Sequence, residues 1–361
     1  MEEKAFLEEE YGIVIHGMRE EGAARVLETD QGLFYLYDAP ANFRYKGKLV
    51  ERIRQQLAQQ TEIGLLKLVR NREGLRHVTQ DEQMFYLYRG VREAEPEDYP
   101  FACGQTLAAF HQATAAIPRE KLLFSFSSLG NWPGMWGRRL RQYDYCLDEL
   151  EKAWTELTAM DHYLLTSYTY VHQLGETALR YLHEAGYEQM VRQTAQFGRV
   201  AFQSFGQGYF RWNEQMRPLL GGEWNWVLDM RARDIGQWLK AESRRNGWRD
   251  EEAIRFLDGY NSVSPLLERE YAVIYALLLY PGRFLKLVET YQQLPPEERQ
   301  EVDGEAWQAQ LEAEMERMEV ALRRYPQAIM QQYGVSIPQI DWLWRYEDEK
   351  TESAGNEKNR G

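Results

Sequence analysis

Cysteine is scarce in this chain. Cys103 and Cys146 are its only thiols and show no CxxC or paired spacing, which excludes a disulfide framework and a zinc site of the usual kind. The six histidines form no HExxH pattern. Long apolar runs are missing too: the longest, YAVIYALLLYPG at 271–282, is about half of what crosses a bilayer, so no membrane insertion is expected. Positive charge is in deficit, with 43 Lys and Arg against 56 Asp and Glu, a net charge of −13. That field opposes binding to nucleic acid or to an anionic membrane. The opening MEEKAFLEEE puts acids where a signal peptide needs cations, so synthesis and retention in a cytoplasm are expected. One further gap bears on chemistry: no aspartate occurs between Asp161 and Asp229.

The 361 residues, 44% hydrophobic and 13% aromatic, can bury a large core and are enough for two packed lobes. From Tyr11 to about Val91 the pattern is strand-rich. RVLETDQGLFYLY turns at Asp30, Gln31 and Gly32 between two apolar-aromatic runs, a hairpin signature. KGKLVERIRQQLAQQ puts Leu49, Val50, Ile53 and Leu57 on one helical face, and GLRHVTQ and EQMFYLYRGV read as two more strands. REAEPEDYP, acidic with two prolines, reads as a hinge. Beyond it the periodicity is helical: FACGQTLAAFHQAT, a long amphipathic run from Trp132 to Leu164, and YTYVHQLGETALRYLHEAG. Between Gln193 and Met230 a glycine- and aromatic-rich stretch interrupts the helices, with EWNWVLDM as a short strand. Asp234 is expected to cap the helix ARDIGQWLKAESRRN, with Gln237 completing a capping box, and to hold the preceding loop. The expected division is a small β-rich lobe at 1–95, a helical lobe at 96–345 and a disordered charged tail at 346–361.

The lobe order, LAAFH at 107–111, LGNWPGMWGRRLRQYDY at 129–145 and EYAVIYALLLYPGRFLKLVETY at 270–291 resemble the CotS group of endospore coat proteins, and within it the YutH-like branch. That group is similar to aminoglycoside and choline phosphotransferases. The resemblance implies an α+β, bilobal, protein-kinase-like fold. It also implies synthesis in the mother cell, a final place in the spore coat, and other coat proteins as partners.

Phosphoryl transfer in such a fold needs a strand lysine on the nucleotide phosphates, a loop aspartate to take the acceptor proton, an asparagine five residues on for metal, and a strand-end aspartate for Mg²⁺. Laid on this chain, the loop motif H-x-D-x-x-x-x-N puts Phe202 at the histidine, Ser204 at the base and Tyr209 at the asparagine, flanked by Gly206 and Gly208. The lysine position falls on Tyr37, and only the strand-end acid has a match, Asp229. A serine hydroxyl is no base near neutral pH, and tyrosine is a poor Mg²⁺ ligand. Each preorganised group is worth about 10²- to 10³-fold in rate, so losing three together abolishes useful turnover. The expectation is a catalytically degenerate protein with no cofactor. Asp229 is the one candidate metal ligand, with a turn or cap role as its alternative. Two other readings stay open: an active phosphotransferase using Asp229 and an acid such as Glu214, and a nucleotide-sensing pseudokinase. Glu51 could once have paired with the lysine that Tyr37 replaces; a solvated helix charge is the alternative. Arg138, Arg139 and Arg141 either snorkel from a helix or meet an acidic partner. Trp132, Trp136, Trp224 and Trp226, with Tyr35, Phe205 and the positions above, make the region aromatic enough either for an ordinary core or for a filled cleft.

Overall fold

The computed structural model describes residues 2–81, 83–115, 126–152, 157–197, 199–203, 205–206, 208–301 and 303–343. The tail expected at 346–361, and Ser204, lie outside the described residues. The chain forms two compact units: Met1–Leu129 with Met190–Ala241 and Arg255–Pro265, and Gly130–Gln189 with Glu242–Ile254 and Leu266–Gly361.

In the first unit, helix α1 (Glu2–Tyr11) precedes strands β1 (Ile15–Glu21), β2 (Ala24–Thr29) and β3 (Gly32–Ala39). Helix α2 (Gly47–Gln60), β4 (Gly64–Leu65), β5 (Val78–Gln80) and β6 (Gln83–Arg89) follow. The expected hairpin forms with Thr29 opposite Gly32. Its two-residue turn is closed by the Thr29 hydroxyl, which donates to the Gly32 carbonyl and accepts from the Gln31 amide. The sheet is antiparallel in the order β1-β2-β3-β6-β5. Because side chains alternate along a strand, Phe34 and Leu36 enter one core, with Leu7 and Tyr11 of α1. Tyr35 and Tyr37 enter the other, with Leu66, Tyr88, Leu219 and Trp224. Burial on both faces is why these strands read as nearly continuous apolar runs. Helix α2 buries Leu49, Val50, Ile53 and Leu57, as its periodicity requires.

Helix α3 (Tyr99–Thr114) starts inside the expected hinge, with Asp98 as N-cap accepting from the Phe101 amide. In the glycine-rich stretch lie β7 (Val200–Ala201), β8 (Phe210–Trp212), β9 (Pro218–Leu220) and β10 (Val227–Leu228), too short to show period-2 alternation in the sequence. β8 and β9 form a hairpin whose second strand runs parallel to β4, and β10 pairs with β7.

The second unit is helical. The run from Trp132 is two helices rather than one, α4 (Trp132–Lys152) and α5 (Ala159–Glu184). The second starts at a capping box in which Thr158 and Asp161 satisfy each other's backbone amides. Past α6 (Tyr187–Phe197), α7 (Ala232–Asn246) and α8 (Asp250–Val263), each of which is shared between the two units, come α9 (Glu268–Leu279), α10 (Gly282–Gln293), α11 (Pro296–Glu301) and α12 (Gly304–Tyr333). Glu268–Gln293 has the composition of a membrane span, but 72% of its apolar window is buried and the helix breaks at Tyr280 and Pro281. It is a core segment. Two of the three sequence blocks that carry the family resemblance meet here: Trp136 stacks on Tyr280 at 4.4 Å, and Tyr143 sets its ring edge to Phe284.

Candidate functional site

The loop 202–209 is held from below by one carboxylate. Asp234 is fully buried and accepts from the amides of Phe202 (2.6 Å) and Gln203 (3.0 Å) and from Nε2 of His111 (2.8 Å). These bonds stabilise Gln203 at φ +68°, a conformation costly for a residue with a Cβ. Asp234 is therefore not the N-cap expected from the sequence: α7 begins two residues earlier, at Ala232, and the side chain is spent on the loop. His111 Nδ1 lies 2.8 Å from the Tyr260 hydroxyl. Burial lowers the pKa of His111, so the ring is neutral, donates from Nε2 to Asp234 and accepts at Nδ1 from Tyr260.

From above, the loop meets the sheet directly. The buried Tyr37 hydroxyl donates to the Gly208 carbonyl, and the Tyr37 ring stacks on Tyr209 at 5.6 Å and 15°. Trp224 sets its edge to both rings. Gly208, at φ +85°, is seated on the turn between β1 and β2. A Cβ there would lie 2.6 Å from the Ala23 amide nitrogen and 2.8 Å from the Glu21 carbonyl, so only glycine allows the approach. Gly222 is needed for the same reason, since a Cβ would strike the Tyr209 ring at 2.4 Å. Just beyond Tyr209, Arg211 is buried over the face of Tyr35 at 4.0 Å. Its guanidinium pairs with Glu21 at 2.7 Å and Glu93 at 2.5 Å, which tie β8 to the β1–β2 turn and to the segment after β6.

Asp229 follows β10, is fully buried, accepts from the Met230 amide at 2.8 Å and pairs with Arg233 at 2.5 Å. The carboxylate that faces the tyrosine cluster is a different one, Glu223, which the sequence reasoning missed. It follows the β8–β9 hairpin after Gly221 and Gly222, is 1% exposed, and accepts from the Tyr88 hydroxyl at 2.7 Å and from Arg54 of α2. The signal that could have found it is the glycine pair after an apolar strand. Lys46 is the second omission. Its Nζ donates to the carbonyls of Trp224 (2.6 Å) and Trp226 (3.3 Å), and burial pushes its pKa down to about 8. Glu51 is exposed on α2, and Glu214 is exposed on the β8–β9 turn, 3.7 Å from Arg92. No cluster of three or more His, Cys, Asp or Glu suited to a metal occurs among the described residues.

Residues 4–325 match the family model described as "Spore coat putative kinase YutH". The chain belongs to this YutH family. It is 25% identical over 213 residues to the endospore coat-associated protein YutH of Bacillus subtilis (strain 168), a match spanning 56% of this chain and 58% of the relative's length. Among solved structures it resembles an aminoglycoside phosphotransferase from Alicyclobacillus acidocaldarius, with TM-score 0.64 and 16% identity, covering 89% of this chain and 95% of that one. It also resembles a microcompartment-associated aminopropanol kinase, with TM-score 0.54 and 14% identity, covering 87% and 93%. The fold is therefore that of the aminoglycoside phosphotransferase-like kinases. Within it, this member of the YutH family stacks Tyr37 of β3 on Tyr209 of the loop.

Proposed function

We propose that this protein is a catalytically degenerate kinase-like component of the endospore coat, with a structural or interaction role. The observation that carries the reading is Gly208 seated on the β1–β2 turn. In kinases of this fold that turn covers the nucleotide phosphates, and a β3 lysine contacts them. Here the turn is covered by the loop itself, and β3 offers the Tyr37 hydroxyl, which is bonded to the same loop. Glu223 and Asp229 each have an arginine partner, so a Mg²⁺ ion would have to displace it. In this reading a β-rich lobe at 1–95 and a helical lobe at 96–345 serve as a scaffold with a charged tail. The protein is made in the mother-cell cytoplasm, joins the coat, and contacts other coat proteins there. The family and the relative's name support the location; the packed loop supports the loss of chemistry.

The test restores the missing groups. Tyr37→Lys, Ser204→Asp and Tyr209→Asn combined should give no phosphate transfer from ATP to hydroxylated acceptors, because charge cannot act where a nucleotide cannot enter. A fluorescent fusion carrying Asp229→Ala should still reach the coat. Transfer by the unmodified protein, or loss of coat assembly in a stably folded Asp229→Ala protein, would replace this reading with that of an active small-molecule phosphotransferase.

A further inference from the structure

Helix α4 carries a surface stripe that no other described residue covers. Met135, Arg138, Gln142, Tyr145, Glu149 and Lys152 recur at spacings of three and four, which puts them on one face, and all six are exposed. Two of them are large and apolar: Met135 is 38% and Tyr145 66% exposed. The stripe changes sign along its length. Arg138 and its neighbours Arg139 and Arg141 lie towards the N-terminal end and have no ion pair among the described residues. Asp148, Glu149 and Glu151 lie towards the C-terminal end. A helix dipole favours the opposite order, so helix energetics do not account for the pattern. In a protein of net charge −13, a concentrated basic half-helix is also out of keeping with the rest of the surface.

Reversed on itself, the stripe matches. An antiparallel copy whose two-fold axis passes between Gln142 and Tyr145 sets Arg138 against Glu149, Met135 against Lys152 and Gln142 against Tyr145. Arg139 then falls against Asp148 on the flank. A contact about a two-fold axis uses each pair twice, so one self-complementary face suffices. We propose that this face binds a second copy of the chain through antiparallel α4 helices. The existing Glu149–Lys152 pair, at 2.7 Å, joins two exposed side chains and is cheap to exchange. Release from it lets the Lys152 stem lie along Met135. A seam one helix wide sits at the small end of specific interfaces, so the dimer is weak and concentration-dependent. It does not depend on the state of the cleft.

Sedimentation velocity of the full chain tests this, from low micromolar to a few hundred micromolar. The mass should rise from 42.7 kDa towards twice that value, and less so at high salt. Arg138→Glu with Arg139→Glu should stay monomeric, as should Asp148→Arg with Glu149→Arg. An equimolar mixture of the two variants should recover the dimer, since each supplies the charge the other has lost. Circular dichroism should show both folded. A wild-type chain that stays monomeric throughout, self-association that survives both reversals, or a mixture of folded variants that does not associate would each overturn the proposal.

Discussion

The phenol of Tyr37 donates to the carbonyl oxygen of Gly208, joining the third strand of the sheet to a loop 171 residues away. With the ring of Tyr37 stacked on Tyr209, this one side chain fixes the loop against the sheet by both a polar and an apolar contact.

Removing the hydroxyl should therefore cost little, and opening the contact should cost more. Tyr37→Phe keeps the stack and leaves one buried carbonyl unpaired, a loss of about 1 kcal/mol. Gly208→Ala places a methyl into backbone atoms at a positive φ and should cost about 2 kcal/mol or more. Urea titration of each variant measures both. A Gly208→Ala protein as stable as wild type would show that the loop stands off the turn.

Stability should fall on mild acidification because of His111. Its pKa is lower in the folded protein than the usual 6.5, so the unfolded chain binds a proton that the native state refuses. The contribution is fully present above about pH 6.5 and is lost as pH drops from there towards the lowered folded value. His111→Gln should be less stable than wild type at pH 7.5, yet show a shallower decline between pH 6.5 and 5. Parallel declines for the two proteins would mean that His111 accepts the proton while folded.

The Arg54–Glu223 pair should be asymmetric. Glu223 is 1% exposed at its side chain and Arg54 is 32% exposed. Arg54→Met strands a buried carboxylate and should cost about 3 kcal/mol. Glu223→Gln leaves Arg54 able to turn to water and should cost less. Denaturant midpoints that rank the two substitutions the other way would show that Glu223 is stabilised mainly by Tyr88.

Much of the sheet was legible because its signals are local: the Thr29–Gly32 turn and the apolar face of α2 each depend on residues a few positions apart. Helix α1 was not, since Phe6, Leu7 and Tyr11 are set among glutamates and only packing on the sheet makes them a face. Tyr37 and Tyr209 stood out in the sequence as aromatic positions, and the structure stacks one on the other. Their surroundings were not legible, because Glu223 with Arg54, and Tyr37 with Gly208, pair over separations of 169 and 171 residues. Asp229 stood out as the one aspartate in a long stretch, while the acid facing the cluster is a glutamate six residues before it.

The central claim, that the loop closes the cleft to nucleotides, is tested most directly by thermal melting with Mg²⁺·ATP. A ligand that binds only the native state stabilises it by RT ln(1 + [L]/Kd), about 2.7 kcal/mol at a hundredfold excess over Kd. We predict no shift in melting temperature at millimolar Mg²⁺·ATP or Mg²⁺·GTP. A magnesium-dependent rise with either nucleotide would contradict the account and show that the Tyr37–Gly208 contact opens to admit it.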